Sequence, residues 1–520
     1  MAAPAERQIA RSASVVMAGF ALSSLFGLAN RMLYTRGFGT GHELDAFFAA
    51  NRLPDILFNL MAGGALASAF LPTFSALLTQ GDRTRAWKMA SSVGILLILA
   101  VGLAAGLLGL AAPWVVENIL APGFTDPNQI QLTVSLLRVQ LVAPVIFGAS
   151  GLLMAILNAQ QHFLLPALAP TFYWLGWILG NLLLVPRLGI HGLAWGVLLG
   201  AALHLLVQLP GLRGLRPRFF PTLSLKDPSV RQVGRLMAPR LFGVAVVQLN
   251  FLVNLILASA MPEGSLTGIT LGFAIMLMPQ IVIAQAVAIA ALPTFSSQAA
   301  RGELGEMRRT LASTLRGVIF LSLPASLGLI LLRRPLVAML FQRGEFNSNS
   351  TELVAWALLW FATGLVGHAL VEIVSRAFYA LKDTRTPVTV GAAAMALNVV
   401  LSVGLSRLFP RLGWAPHGGL ALANSIATGL EAIALLWLVS RRLGGLEFGR
   451  IRAGLASSVL ATAVLGVGLA IWMGVTQGSP DWLVALGGAG LGAAVYWLAS
   501  LGLGSPEASQ LPGLIMARRS

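Results

Sequence analysis

Apolar stretches of about 20 residues recur along the whole chain, and each is long enough to cross the hydrocarbon core as a helix. These stretches are apolar throughout, whereas the strands of a membrane barrel alternate apolar and polar residues. The pattern therefore predicts helices. The second, fourth, eighth and tenth are long and contain Pro, Gly or polar residues, so we expect them to tilt or kink. About fourteen spans are predicted, at residues 13–30, 45–76, 90–112, 130–158, 165–185, 191–210, 232–259, 266–297, 312–332, 351–380, 386–406, 418–440, 453–474 and 481–503.

Composition supports an all-α integral membrane protein. Charged residues make up 10% of the chain and hydrophobic residues 57%, with a mean hydropathy of +0.80. A soluble domain has about a quarter charged residues. Residues 1–11 are polar and short, and no small-residue cleavage site follows, so we expect no cleavable signal peptide. Cysteine is absent, which excludes disulfides, thiol catalysis and cysteine metal sites.

Positive charge predicts the orientation. If the N-terminus is cytoplasmic, most of the 35 Lys and Arg residues fall in segments on the cytoplasmic side, as the positive-inside rule requires. Both termini are then cytoplasmic, and the location is the cytoplasmic (inner) membrane of a bacterium. A net charge of +16 also suits a nucleic-acid-binding protein. The alternation from loop to loop favours the membrane face instead, so no nucleic-acid partner is expected.

The sequence contains an internal repeat. Residues 71–75 (LPTFS) return as residues 292–296, and three further echoes follow in the same order, which indicates a duplicated unit of about 220 residues. Six spans precede the basic segment 210–240, and six follow it before the last two spans, which have no counterpart in the first half. The two repeats are therefore parallel, and such transporters bind substrate between their halves. The predicted domains are a six-helix lobe (1–210), a basic cytoplasmic linker (211–240), a second six-helix lobe (241–440, its first helix starting near 232) and two extra helices with a tail (441–520).

No enzyme motif is present. The chain lacks the GxxxxGK[ST] loop of ATP-driven motors, the HExxH zinc motif and any acidic cluster at metal spacing. We therefore expect no catalysis, no cofactor and no metal. His191 and His417 each begin a repeated turn, which favours a structural role for both.

Polar residues at membrane depth mark a cavity or pathway, because they are costly in lipid. Asp45 begins the second span, and Asn51, Arg52, Asp55 and Asn59 then share one helical face. This face predicts a hydrated substrate cavity. The alternative is that Arg52 and Asp55 only pair with each other within their own helix.

Other polar residues extend the candidate cavity. The first span carries Ser24, Asn30 and Arg31 towards its outer end, with Arg36 beyond it, although Arg31 could instead snorkel to the interface. The second half contributes Asn250 and Gln285. Glu372 could couple transport to protons, but pairing with Arg376 one turn away is favoured.

An ordered series of motifs carries a family resemblance. In sequence order these are 37–41 (GFGTG), 45–48 (DAFF), 52–54 (RLP), 69–72 (AFLP), 121–124 (APGF), 156–159 (ILNA) and 166–170 (PALAP). They resemble the MurJ/MviN family of the MOP exporter superfamily, over residues 13 to about 505. The resemblance implies two six-helix lobes in a V around a central cavity, and a lipid-lined groove beside the last two helices. It also implies flipping of lipid II, the undecaprenyl-pyrophosphate-linked peptidoglycan precursor, to the outer leaflet.

The polar cavity residues depart from the family pattern. The family usually has arginine at Ser24 and an Arg-Asp pair at Asn30-Arg31, whereas Asp45 and Arg52 carry over. Arg31, Arg36 and Arg52 are then the expected partners of a pyrophosphate, which guanidinium groups bind bidentately. Two alternatives stay open: a MOP transporter of drugs or oligosaccharide-lipids, and a non-transporting cell-wall scaffold. The expected partners are membrane lipids and cell-wall synthesis proteins. We expect the protein to be a monomer.

Overall fold

The computed structural model describes residues 4–62, 65–215 and 217–509, and every regular element in these ranges is helical. Contacts divide the chain into two compact units, Met1–Glu263 and Gly264–Ser520. The all-α membrane class is confirmed. Residues 63 and 64, within the predicted second span, and the C-terminal tail from residue 510 lie outside the described residues.

The first unit contains eleven α-helices among its described residues. They are α1 (Pro4–Phe38), α2 (His42–Ala62), α3 (Ala65–Thr79), α4 (Arg83–Leu110), α5 (Ala112–Val115), α6 (Pro127–Gln140), α7 (Val142–Ala159), α8 (Leu164–Leu183), α9 (Val185–Leu188), α10 (Ile190–Leu206) and α11 (Pro228–Ser259). A π-helical turn, Val116–Leu120, follows α5, and a 3-10 turn, Leu209–Leu212, follows α10.

The second unit contains ten further α-helices in its described part. They are α12 (Ser265–Gln280), α13 (Ala286–Ala300), α14 (Leu304–Leu331), α15 (Arg333–Phe341), α16 (Ser348–Thr363), α17 (Leu365–Ala380), α18 (Arg385–Arg411), α19 (His417–Arg442), α20 (Phe448–Val475) and α21 (Asp481–Gly502). A π-helical turn, Ile281–Gln285, joins α12 to α13.

Nine helical stretches among the described residues are long and apolar enough to cross a membrane, or ten if the bent pair α16–α17 is one span. The protein is therefore a multi-pass membrane protein, while the count of fourteen stays a prediction. Of the predicted spans, the first, second, fifth and seventh do not reach this apolar standard in the described residues. Those helices carry the candidate polar residues or, in α8, two prolines and Asn181.

The helix breaks repeat between the halves. In the first unit α6 gives way to α7 at Leu141, and in the second α16 gives way to α17 at Gly364, with a bend of 47°. Pro166 and Pro387 are each the third residue of their helix, α8 and α18. These correspondences are what a duplicated unit predicts, and the bend between α16 and α17 is the kink expected in the tenth span.

The repeated LPTFS motif supplies a core residue to each unit. Phe74 in α3 and Phe295 in α13 are both fully buried. Phe74 packs with Phe70 and Trp87, while Phe295 belongs to a cluster with Met307 and Phe378. The repeated motif therefore places a buried phenylalanine in the core of each unit.

The seventh predicted span packs with the helices of the first unit, although the repeat places it at the start of the second half. Its helix α11 starts at Pro228, where the Asp227 carboxylate accepts a hydrogen bond from the Ser229 N–H at 2.7 Å. It packs against α2, α3 and α4, so contacts divide the two units after Glu263. The reason is local: polar and aromatic side chains of α11 face the polar side of α2. The predicted lobe boundary at 240/241 stays a prediction.

The two extra helices are anchored to the second unit. Glu507, just after α21, forms an ion pair with Arg316 of α14 at 2.5 Å, and both side chains are largely buried. The Tyr496 hydroxyl of α21 donates to the carbonyl of Phe320 at 2.7 Å. These contacts fix α20 and α21 beside α14, where a groove forms.

Candidate functional site

Arg52 is the centre of the polar face on α2. Its Nη2 donates to the Gln248 side-chain Oε1 at 2.5 Å and to the Gln248 carbonyl at 3.1 Å. The guanidinium carbon lies 5.1 Å from the centre of the Phe251 ring, which fits a cation–π contact. Gln248 and Phe251 lie one turn apart on the same side of α11. Gln248 therefore accepts hydrogen bonds from the edge of the guanidinium, while the Phe251 ring packs against it.

Asp55 is satisfied by its own helix. Its Oδ2 accepts from the Asn51 amide at 2.9 Å, and its carbonyl accepts from the Asn59 amide at 2.8 Å. No ion pair between Arg52 and Asp55 occurs in the described residues, so the alternative of a simple intrahelical pair is not the arrangement seen. The four polar residues are half-buried and share a face, as the helical spacing predicts.

Arg52 keeps unfilled donor capacity. Its Nε is buried and has no hydrogen-bond partner in the part of the chain that the structure describes. A guanidinium carries five N–H donors and no acceptor. Because a buried unpaired donor costs about 1–3 kcal/mol, this nitrogen is available for an acceptor such as an anion oxygen.

Arg31 lies against aromatic residues. Its guanidinium carbon is 5.8 Å from the centre of the Trp174 ring in α8, and Trp174 stacks on Trp177 at 5.3 Å. The contact holds the half-buried Arg31 side chain of α1 against α8. Arg36, at the end of α1, is exposed.

The second unit contains a large apolar groove. Its volume is about 610 Å³, within the usual range for sites of small organic ligands, and α12, α14, α15, α20 and α21 line it. Leu465 and Leu469 line one side, and Gly492, Tyr496 and Trp497 of α21 line another. Such a surface is suited to an extended hydrocarbon and not to a charged group.

The chain matches the lipid II flippase MurJ family over residues 35–486. It is 32% identical over 447 residues to the lipid II flippase MurJ of Burkholderia cenocepacia, covering 83% of this chain and 84% of that protein. The chain belongs to the MurJ family. A probable lipid II flippase MurJ of Vibrio cholerae is 30% identical over 521 residues, covering 96% of this chain and 97% of the relative. The resemblance inferred from the ordered motifs is confirmed.

Solved structures agree with this MurJ-family fold. A lipid II flippase MurJ in an inward closed conformation matches with a TM-score of 0.80 at 23% identity, covering 93% of this chain and 97% of that one. An inward-facing multidrug resistance MATE transporter of the MOP superfamily matches with a TM-score of 0.68 at 16% identity, covering 81% and 94%. At these identities the likeness establishes the shared fold.

Three predicted cavity residues of this MurJ-family protein need separate description. Ser24 is exposed. Asn30 is fully buried. Asp45 is 4% exposed and lies in the first turn of α2, where the helix dipole stabilises a carboxylate. In this conformation Asn30 and Asp45 therefore do not face a solvated cavity. The burial of Asn30 follows from the close packing of α1 on α8, where Gly27 lies against Trp174. Asp45 belongs to α2, which packs against α6.

The remaining candidates lie apart from Arg52 or are satisfied elsewhere. Asn250 is buried and accepts a hydrogen bond from the Asn254 amide at 3.4 Å. Gln285 is in the second unit, exposed at the end of its π-helical turn. Arg376 donates to Glu372 at 2.6 Å, so the favoured pairing of those two residues is the arrangement seen.

Sequence reasoning missed Gln248 and Phe251. The rule that singled out Asn250, a polar residue at membrane depth, applies equally to Gln248. Only the orientation of α11 distinguishes them, because residues two apart on a helix point in different directions. A search for polar and aromatic pairs three residues apart in the seventh span could have found this face.

Proposed function

We propose that this protein flips lipid II from the cytoplasmic to the outer leaflet of the bacterial cytoplasmic membrane. Family membership over residues 35–486 carries the proposal, since the relatives are named for this activity. The protein makes and breaks no bond, and it works by alternating access, exposing its site to one side and then to the other. The substrate can shift the equilibrium between the two states only through its different affinity for each of them.

The two sites suit the two ends of the substrate. Arg52, with a buried unpaired Nε, offers charge and hydrogen bonds to the pyrophosphate, and Arg31 and Arg36 add positive charge. The apolar groove beside α20 and α21 suits the polyprenyl tail. We propose that the membrane potential or an ion gradient drives the movement of the charged head group.

Complementation is the functional test. A bacterial strain depleted of its own lipid II flippase should grow and keep its shape when this protein is expressed. Failure despite normal membrane levels would favour a transporter of another substrate or a non-transporting scaffold. A monomeric scaffold would bind cell-wall synthesis proteins but would not restore growth.

We further propose that both termini are cytoplasmic. A single cysteine introduced at Thr125 or Asp481 should react with an impermeant maleimide in intact cells, and one at Gln80 should react only after permeabilisation. All three positions are exposed, and the chain has no native cysteine to interfere. Labelling of Gln80→Cys in intact cells would overturn the orientation.

A further inference from the structure

Gln248 occupies the hydrogen-bond donor through which Arg52 would bind an anion. Arg52 Nη2 carries two hydrogens, and the structure gives it two acceptors, both from Gln248. The side-chain bond is the shorter, at 2.5 Å. No donor capacity on Nη2 is left for a third group.

The chemistry of a diphosphate requires that same nitrogen. Nε and Nη2 lie on one edge of the guanidinium plane, and a phosphate binds across such an edge with two parallel N–H···O bonds. Nε is buried and unpartnered among the described residues, whereas Nη2 is taken. A phosphate that binds this edge must therefore displace at least one oxygen of Gln248.

Displacement also loosens a helix contact. Gln248 and Phe251 both hold Arg52 from α11, while Arg52 belongs to α2. The far end of α11 is held separately, since the Gly123 N–H donates to the Ser259 hydroxyl at 3.1 Å. Arg52 is a charged donor, and it binds an anion more strongly than it binds the neutral oxygens of Gln248. An anion can therefore replace Gln248 on Arg52.

We propose that Gln248 is a positioning residue that couples binding of the substrate's diphosphate to the release of α11 from α2. In the empty site Gln248 holds Arg52, and the diphosphate replaces it on the Nε–Nη2 edge. The idea rests on the proposed function for the identity of the lipid, although the chemistry requires only a diphosphate.

A purely structural Gln248 predicts the opposite sign. If the residue only packs α11 against α2, its removal disorders the site and weakens anion binding. If it competes with the anion, its removal tightens binding. The sign of the change in affinity therefore separates the two roles.

The experiment measures binding of inorganic pyrophosphate by calorimetry to the purified full chain in nanodiscs of neutral lipid. Gln248→Met keeps the side-chain volume and removes the acceptor, and Gln248→Ala serves as a second variant should Met disturb folding. Gln232→Met is the matched control, since Gln232 is an exposed glutamine on the same helix. Arg52→Ala defines binding that depends on the site.

We expect Gln248→Met to bind pyrophosphate about tenfold more tightly than the parent, which corresponds to the loss of one competing bond to a charged group. Gln248→Glu should bind at least about tenfold more weakly, because its carboxylate pairs with Arg52. Gln232→Met should equal the parent. Unchanged or weaker binding in both Gln248→Met and Gln248→Ala would overturn the proposal, as would a parent that binds no more pyrophosphate than Arg52→Ala.

The outcome is separable from that of the proposed function. A parent that complements the depleted strain, with Gln248 variants of unaltered affinity, refutes only the coupling. A parent that fails to complement, with tighter binding by Gln248→Met, refutes lipid II as substrate and supports the coupling.

Discussion

Replacing Arg52 with alanine should abolish complementation of a flippase-depleted strain without lowering the amount of protein in the membrane. The loss of two charge-assisted hydrogen bonds to the pyrophosphate, each worth about 1.5 kcal/mol, predicts a fall in substrate affinity of about 100-fold. Arg52→Lys should retain part of the activity, because it keeps the positive charge but cannot make the bidentate contact. Growth curves, with membrane levels measured by immunoblot, give the comparison.

Arg138→Ala is the matched control. Arg138 also lies within a predicted span of the first unit, but it is exposed and its Nε donates to the Gly109 carbonyl at 3.1 Å. This variant should complement fully. Full growth of Arg52→Ala would show that the residue has only a structural role on α2, and the pyrophosphate would then need another binding group.

Filling the apolar groove should block transport while leaving the Arg52 site intact. Gly492 lines the groove, and a side chain there points towards Leu465 and Leu469, so Gly492→Phe occupies space proposed for the polyprenyl tail. If the phenylalanine excludes only three methylene groups of the polyprenyl tail from the groove, binding loses about 2.4 kcal/mol. The affinity for the lipid then falls about fiftyfold. Complementation should fail, and pyrophosphate binding to the purified variant should be unchanged.

The neighbouring Gly490 provides the comparison. It is exposed, and a Cβ atom added there meets nothing within 4 Å, so Gly490→Phe adds the same ring outside the groove. Gly490→Phe should complement as well as the parent. Equal growth of both variants would show that the tail does not use this groove.

Much of the architecture followed from the sequence, because its signals are local and repeated. Continuous apolar stretches predicted helices, and the internal repeat predicted two similar halves, in which Pro166 and Pro387 are each the third residue of their helix. The polar face of α2 followed from helical periodicity alone, since residues three and four apart must share a side. These inferences need no knowledge of which helices touch.

The parts that the sequence missed depend on packing between helices. Asn30 and Asn51 are both asparagines in predicted spans, yet one is fully buried and the other half-buried. Only the approach of α8 to α1 separates them. The packing of α11 against α2 and the contact between Gln248 and Arg52 likewise join residues far apart in the chain, which helical periodicity cannot predict.

Transport of lipid II across a bilayer by this chain alone can be measured in vesicles that contain the purified protein and fluorescent lipid II. An impermeant reagent quenches only the label in the outer leaflet. We expect lipid II to equilibrate between the leaflets with the parent protein and with Arg138→Ala, and not with Arg52→Ala. If lipid II crosses no faster with the parent protein than in protein-free vesicles, the protein is not a lipid II flippase.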